Sequence, residues 1–138
     1  MPLNFAFFGI NKPDTIIKEK KYDNYYLSGH SLGGVAASMY VSSNSDKVKG
    51  LIMLSSYPIK ELPSDIEYIS IYGSEDKVLN IDKYNDFKKY FPDNYKEYVI
   101  EGGNHSGFAN YGSQKGDGIS KITSDEQVDY VIKVLFGE

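Results

Sequence analysis

The chain has 138 residues, which fits one domain with a single core, and its 41% apolar and 25% charged residues are typical of a globular protein. The net charge of −4 argues against a nucleic-acid-binding surface, and the absence of cysteine excludes disulfides, Cys-ligated metals and thiol catalysis. No stretch reaches the roughly 18–20 apolar residues of a membrane span.

Four short runs rich in β-branched and aromatic residues predict β-strands. The second run is almost continuously apolar, as expected for a parallel strand that is covered on both faces. The predicted strands are Tyr25–Ser28, Val48–Leu54, Ile66–Tyr72 and Tyr95–Ile100.

Amphipathic stretches with a helical period lie between and after these strands. In the last stretch, Ser124 and Gln127 have the spacing of a capping box. Strands that alternate with helices predict an α/β fold, here a partial parallel sheet of about four strands flanked by helices in one domain over residues 1–138. The predicted helices cover Pro13–Lys20, Leu32–Tyr40, Tyr84–Phe91 and Ser124–Phe136.

The first predicted strand continues directly into Gly29-His30-Ser31-Leu32-Gly33, where a helix begins. A serine on such a sharp strand-to-helix turn is strained, and bulky residues at positions 29 and 33 are expected to clash. The turn lifts the Ser31 hydroxyl above the sheet edge and aims the Leu32 N–H at a developing oxyanion. The alternative is a glycine-rich turn with a solvent-facing serine, but the strand before it and the helix after it favour a nucleophile.

Partners for a nucleophilic serine follow in the order acid, then base. Asp76 and His105 each come just after the end of a predicted strand, where parallel sheets place their ligands. Of the two histidines, His30 directly precedes Ser31 and should point away from it, as a packing or hydrogen-bonding residue. For the acid, Glu75 and Asp82 compete with Asp76, although Asp82 is typical of a helix start.

These motifs resemble those of the α/β-hydrolase superfamily, and in particular a branch of small bacterial serine hydrolases of the esterase type. The resemblance rests on the elbow at residues 29–34, the Gly-Ser-Glu-Asp turn at 73–76, the Gly-Gly-Asn-His turn at 102–105 and the glycine-rich loop at 110–118. It implies that Ser31, Asp76 and His105 form a catalytic triad and that Leu32 supplies one oxyanion-hole N–H.

The sequence departs from the superfamily before the elbow. Members have about four strands and a helix before the nucleophile strand, whereas 30 residues precede Ser31 here, so the chain resembles the C-terminal portion of a larger hydrolase. The loop that supplies the second oxyanion N–H has no counterpart, which predicts weak catalysis. The strand at Tyr25–Ser28 becomes an exposed edge, for which we expect homo-oligomerisation or cover from Leu3–Phe8. The short Leu54–Ile66 connection predicts little or no lid.

The sequence therefore predicts a serine hydrolase that acts on small carboxylic esters or related acyl substrates through an acyl-enzyme, without a metal or organic cofactor. We expect no nucleic-acid partner, no membrane segment and a cytoplasmic location for the chain as given. A catalytically weak or inactive fragment that folds as an oligomer is the main alternative. An α/β domain that binds an anion at the Ser31 turn is another, which would leave Asp76 and His105 as coincidences.

Overall fold

A computed structural model describes residues 9–110 and 112–137, so the possible cover from Leu3–Phe8 lies outside the described residues. The strands are β1 (Tyr26–His30), β2 (Gly50–Leu54), β3 (Glu67–Gly73) and β4 (Lys96–Ile100). The helices are α1 (Lys12–Lys20), α2 (Leu32–Asn44), α3 (Ile81–Phe87) and α4 (Ser124–Phe136). Short 3₁₀ turns cover Ser45–Lys47, Lys88–Tyr90 and Ser106–Phe108.

The four strands form one parallel sheet in the order β1-β2-β3-β4, which confirms the predicted α/β fold. The register aligns Gly29 of β1 with Met53 of β2, and Met53 with Ser70 of β3. Because all four strands run in the same direction, their carboxyl ends lie at one edge of the sheet. The residues that follow those ends are therefore brought together.

The main core lies where α2 packs on the sheet. Leu51 and Met53 of β2 are completely buried there, against Tyr40 and Val41 of α2. On the opposite face, Ile52 is only half-buried. Burial of this apolar surface supplies the main stabilisation of the fold and holds β1 and α2 in fixed relation.

Helix α4 begins with a capping box that is shifted by one residue from the prediction. The Thr123 hydroxyl accepts from the Glu126 N–H at 3.2 Å, and the Glu126 carboxylate accepts from the Thr123 N–H at 2.7 Å. The predicted pair, Ser124 and Gln127, is wrong because Gln127 is fully buried and bonds elsewhere. Two neighbouring pairs fit the same sequence pattern, and the burial of Gln127 selects between them.

The third helix also differs from the prediction, since α3 ends at Phe87 and residues Lys88–Tyr90 form a 3₁₀ turn. The side chain of Asn80 caps α3 by accepting from the Lys83 N–H at 2.9 Å. The connection from β2 to β3, residues 55–66, contains no helix or strand.

Strand β1 lies at the edge of the sheet and, among the described residues, pairs only with β2. Tyr26 is 51% exposed and Ser28 is also exposed. An edge of this kind offers free backbone groups to another strand. None of the helices in the described ranges is long and apolar enough to cross a bilayer.

Candidate active site

Ser31 occupies a strained turn between β1 and α2, with φ 54° and ψ −125°. A positive φ is uncommon for a residue other than glycine and is often found at functional sites. The backbone holds this conformation because the Ser31 N–H donates to Leu54 O at 2.9 Å, while the Ser56 hydroxyl donates to Ser31 O at 2.8 Å. The Ser31 side chain does not cap α2, so its hydroxyl remains available for other contacts.

Two glycines allow the close approach of β1 and α2 at this turn. A Cβ at Gly29 would overlap the backbone of Gly33, as predicted. The predicted clash at position 33 is wrong, because a Cβ there would meet no described atom within 4 Å. The second crowded position is Gly34, whose Cβ would lie 2.6 Å from the Ser56 side chain.

Leu32 is the first residue of α2, so its N–H belongs to the helix turn that lacks intrahelical partners. Such a group is suited to donate to a negatively charged oxygen near Ser31.

Asp76 and His105 form a buried pair at the ends of β3 and β4. His105 Nδ1 donates to Asp76 Oδ2 at 2.8 Å, and both side chains are at most 2% exposed. The other oxygen, Asp76 Oδ1, accepts from the N–H groups of Leu79 at 2.7 Å and Val78 at 2.9 Å. Burial raises the pKa of Asp76, but the hydrogen bonds from His105 and Leu79 outweigh burial and hold that pKa below its ordinary value. The pair is therefore an anionic carboxylate that orients an imidazole.

Ser31 and His105 line the same cavity, whose volume is about 270 Å³. His105 Nε2 is buried and no described residue hydrogen-bonds to it, so Ser31 and His105 share the cavity without a direct hydrogen bond. Catalytic hydrogen bonds often shorten only when substrate binds. The cavity is lined by Ser31, Leu32, Val35, Ser55, Tyr57, Val78, Leu79, Asn80, Lys83 and His105.

The competing acids lie away from the imidazole. Glu75 forms an ion pair with Lys121, with Nζ and Oε1 2.6 Å apart. Asp82 is exposed in the first turn of α3, as expected of a helix-start residue. Among the three carboxylates that the sequence offered, Asp76 is the one in contact with His105.

His30 packs against His105. Its Nε2 donates to His105 O at 2.9 Å, and its ring lies 4.5 Å from the His105 ring between centroids. This contact matches the predicted packing or hydrogen-bonding role. Burial and the neighbouring His105 lower the pKa of His30, and the negative charges of Asp76 and Asp117 partly oppose that shift.

Sequence reasoning missed three residues that support the pair. Gln127 holds the backbone of Asn104, accepting from its N–H at 3.0 Å and donating to its carbonyl at 2.9 Å. Asp117, in the glycine-rich loop, accepts from the N–H groups of His105 and Ser106. The glycine-rich motif at 110–118 contains Asp117, but nothing in its pattern indicates a contact with His105.

The third missed residue is Ser55, which follows β2 and has φ 45°. Ser55 is 2% exposed and lines the cavity. The Ser55 hydroxyl helps to lower the pKa of Asp76, although its geometry falls short of a well-formed hydrogen bond. No sequence pattern marks this position. Within residues 9–110 and 112–137, no cluster of three or more His, Asp or Glu is arranged to hold a metal ion.

Solved structures with the same fold include three hydrolases. One is MGS-MChE2, an α/β hydrolase from the sediment metagenome of the Mar Chica lagoon in Morocco. It is 18% identical with a TM-score of 0.68, and the match covers 99% of this chain and 73% of MGS-MChE2. A CIB-like hydrolase from Thermoplasma acidophilum is 17% identical with a TM-score of 0.68, covering 99% of this chain and 62% of its own. The monoacylglycerol lipase of Paleococcus ferrophilus is 14% identical with a TM-score of 0.67, and the match covers 94% of this chain and 74% of the lipase.

No curated protein matches the chain. The sequence model of the alpha/beta hydrolase family matches residues 1–129. Together with the parallel sheet and the structural likeness, this match shows that the chain belongs to the alpha/beta hydrolase family, a family of hydrolytic enzymes.

Proposed function

We propose that the protein is a serine hydrolase that cleaves carboxylic esters or related acyl compounds, with Ser31 as nucleophile, His105 as base and Asp76 as acid. The observation that carries this proposal is the buried Asp76–His105 hydrogen bond, 2.8 Å long, beside a cavity that also contains the strained Ser31. A buried, oriented imidazole next to a serine on a strained turn is the arrangement that nucleophilic acyl transfer needs.

In the acylation step, His105 Nε2 takes the proton of the Ser31 hydroxyl as Oγ forms a bond to the acyl carbon. The carbonyl π electrons move to the oxygen, which the Leu32 N–H stabilises. Asp76 accepts a hydrogen bond from Nδ1 and stabilises the imidazolium. When the bond to the leaving group breaks, the imidazolium gives its proton to the departing alkoxide, so that an alcohol leaves and Ser31 is acylated.

Deacylation repeats these steps with water. His105 removes a proton from the water molecule, whose oxygen attacks the acyl carbon, and the proton then returns to Ser31 Oγ as the carboxylic acid leaves. An ester is the favoured substrate class because an alkoxide leaves more readily than an amine. The structurally similar protein from Paleococcus ferrophilus is a monoacylglycerol lipase, which supports the same substrate class.

Among the described residues, the Leu32 N–H at the start of α2 is placed to serve as an oxyanion donor. Removal of one donor from an oxyanion hole typically lowers the rate by about 10²–10³-fold. A site that used the Leu32 N–H as its sole oxyanion donor would therefore turn over slowly. The second candidate is a folded chain with little or no activity. The observation that favours it is the lack of a hydrogen bond from any described residue to His105 Nε2.

Burst kinetics with p-nitrophenyl acetate test the proposal. We expect a rapid release of p-nitrophenol that approaches one equivalent of protein, followed by slow turnover as the acyl-enzyme hydrolyses. Ser31→Ala should abolish both phases, whereas Ser28→Ala, which changes an exposed serine on β1, should retain them. Release no faster than in Ser31→Ala, from wild-type chain with a native circular dichroism spectrum, would favour the inactive candidate.

A further inference from the structure

The Asp117 carboxylate binds the backbone directly after the base. Its Oδ2 accepts from the Ser106 N–H at 2.8 Å and from the Ser106 hydroxyl at 2.9 Å. Its Oδ1 accepts from the His105 N–H at 3.2 Å. One side chain thus fixes two consecutive amides at the start of the 3₁₀ turn Ser106–Phe108.

The same carboxylate also reaches the segment that carries the acid. Oδ1 accepts a long hydrogen bond of 3.4 Å from the N–H of Lys77, the residue next to Asp76. Near Asp117, the Gly118 carbonyl accepts from the Asn104 side chain at 2.8 Å, and Lys121 pairs with Glu75. The segment that contains Asp117 therefore contacts both the turn before His105 and the turn that carries Asp76.

The charge of Asp117 strengthens these contacts. Burial raises the pKa of its carboxyl, but the hydrogen bonds from Ser106, His105 and Gly118 outweigh burial and hold that pKa below its ordinary value. Hydrogen bonds from backbone N–H groups to an ionised carboxylate are stronger than those between neutral groups. Asp117 is thus an anionic clamp on the backbone rather than a neutral surface side chain.

We propose that Asp117 is a positioning residue, which fixes the backbone of His105 relative to the Asp76 turn so that the imidazole meets Asp76 and faces the cavity with Ser31. The inference rests on the proposed function for its catalytic consequence, but its structural consequence is independent of that function. Loss of the clamp frees the His105 backbone, and displacement of a catalytic group by about 1 Å can cost on the order of 10²-fold in rate.

Asp117→Asn is the most informative variant because it conserves the shape of the side chain. It replaces one acceptor oxygen with an NH₂ group, which cannot accept from the N–H groups of His105 and Ser106. Glu75→Gln is the matched control, since it breaks the Lys121 ion pair between the same two segments without touching the His105 backbone. Asp117→Glu retains the charge with a longer side chain and should restore part of the function.

The first readout is the downfield ¹H NMR resonance of the His105 Nδ1 proton, which reports the bond to Asp76 whether or not the protein is an enzyme. The chain has only two histidines, and Asp76→Asn identifies the resonance. We expect slow solvent exchange of this proton in wild type and Glu75→Gln, faster exchange in Asp117→Glu, and loss of the resonance in Asp117→Asn. A structural role limited to stability would lower the melting temperature and leave the resonance of the folded protein unchanged.

The second readout is the rate constant for fluorophosphonate labelling of Ser31, for which we expect a decrease of up to about 100-fold in Asp117→Asn and no change in Glu75→Gln. Wild-type exchange and labelling in Asp117→Asn would overturn the inference, as would equal effects of Glu75→Gln. If Asp117→Asn does not fold, Asp117→Ser takes its place as the variant without a carboxylate, and wild-type exchange in Asp117→Ser overturns the inference. Absence of labelling in wild type would contradict the proposed function alone, and the Nδ1 exchange would still decide the role of Asp117.

Discussion

The turns that carry Asp76 and His105 differ from the outer edge of β1 in the number of residues that hydrogen-bond to them. Asp76 and His105 are almost fully buried. The Leu79 N–H donates to Asp76, and the His105 N–H donates to the Asp117 carboxylate, so that the loops around the pair are fixed. By contrast, Tyr26 on β1 is 51% exposed, and β1 pairs only with β2 within the described ranges. The described residues thus hold Asp76 and His105 on several sides, whereas they pair β1 along one edge only.

Loss of the Asp76 carboxylate should give the largest effect on activity. Asp76→Asn retains an oxygen for the Leu79 and Val78 amides but favours the wrong imidazole tautomer, so we expect fluorophosphonate labelling of Ser31 to slow by about 10⁴-fold. Asp82→Asn, on the exposed first turn of α3, should label at the wild-type rate. Equal labelling of both variants would show that the buried pair does not activate Ser31.

The two elbow glycines should respond in opposite directions. Gly29→Ala forces its Cβ into the Gly33 backbone, and we expect a loss of about 1–3 kcal/mol or more in the free energy of unfolding. Gly33→Ala has room for its Cβ in α2 and should stabilise the helix by about 0.5–1 kcal/mol. Urea denaturation measures both, and destabilisation by Gly33→Ala would contradict the open geometry at that position.

Low pH should destabilise the part of the fold around Asp76 and Asp117. Burial raises the pKa values of Asp76 and Asp117, but hydrogen bonds from His105 and Ser106 hold both below the ordinary 3.8 in the folded chain. The unfolded chain therefore binds these protons more tightly, so the stabilisation is fully present above about pH 3.8 and is lost as pH falls through the folded pKa values.

We expect the free energy of unfolding to decrease with falling pH in this acidic range, and Asp76→Asn and Asp117→Asn each to make the decrease shallower. Urea denaturation at a series of pH values provides the measurement. An unchanged pH slope in both variants would contradict the assignment of the acid sensitivity to this side of the molecule.

The smallest effect should concern the open edge, for which we propose self-association through β1. Backbone groups of an edge strand can pair with a second copy, and a lysine on such a strand opposes that pairing. We expect a concentration-dependent dimer by sedimentation velocity, weakened by Tyr26→Lys. Tyr22→Lys, which changes an exposed tyrosine outside the strand, should leave the dimer unchanged. Monomeric wild type at every concentration would contradict edge pairing.

The sequence predicted the features that depend on local pattern and on strand direction. The elbow at Ser31 follows from glycines next to a strand and a helix, and the meeting of Asp76 with His105 follows from parallel strands that end at one edge. The strand bounds differ from prediction by one or two residues. For example, β2 begins at Gly50 rather than Val48, because the Val48 N–H closes the preceding 3₁₀ turn.

The residues that sequence reasoning missed depend on long-range contacts. Asp117 accepts a hydrogen bond from the N–H of His105, which lies 12 residues earlier in the chain. Gln127 accepts one from the N–H of Asn104, 23 residues earlier. No periodicity encodes those partnerships. The capping box was shifted for the same reason, since only the burial of Gln127 distinguishes the Thr123 pair from the Ser124 pair.

The most direct test of the proposed triad is mass spectrometry of the intact chain and its peptides after incubation with a fluorophosphonate, beside Ser31→Ala. The probe requires an activated serine but no turnover, so it reports the assembly of Ser31, His105 and Asp76 even if hydrolysis is slow. The proposed triad predicts one adduct, confined to the peptide that contains Ser31 and absent from Ser31→Ala. A folded wild-type chain that remains unmodified, or that is modified equally in both proteins, would contradict it.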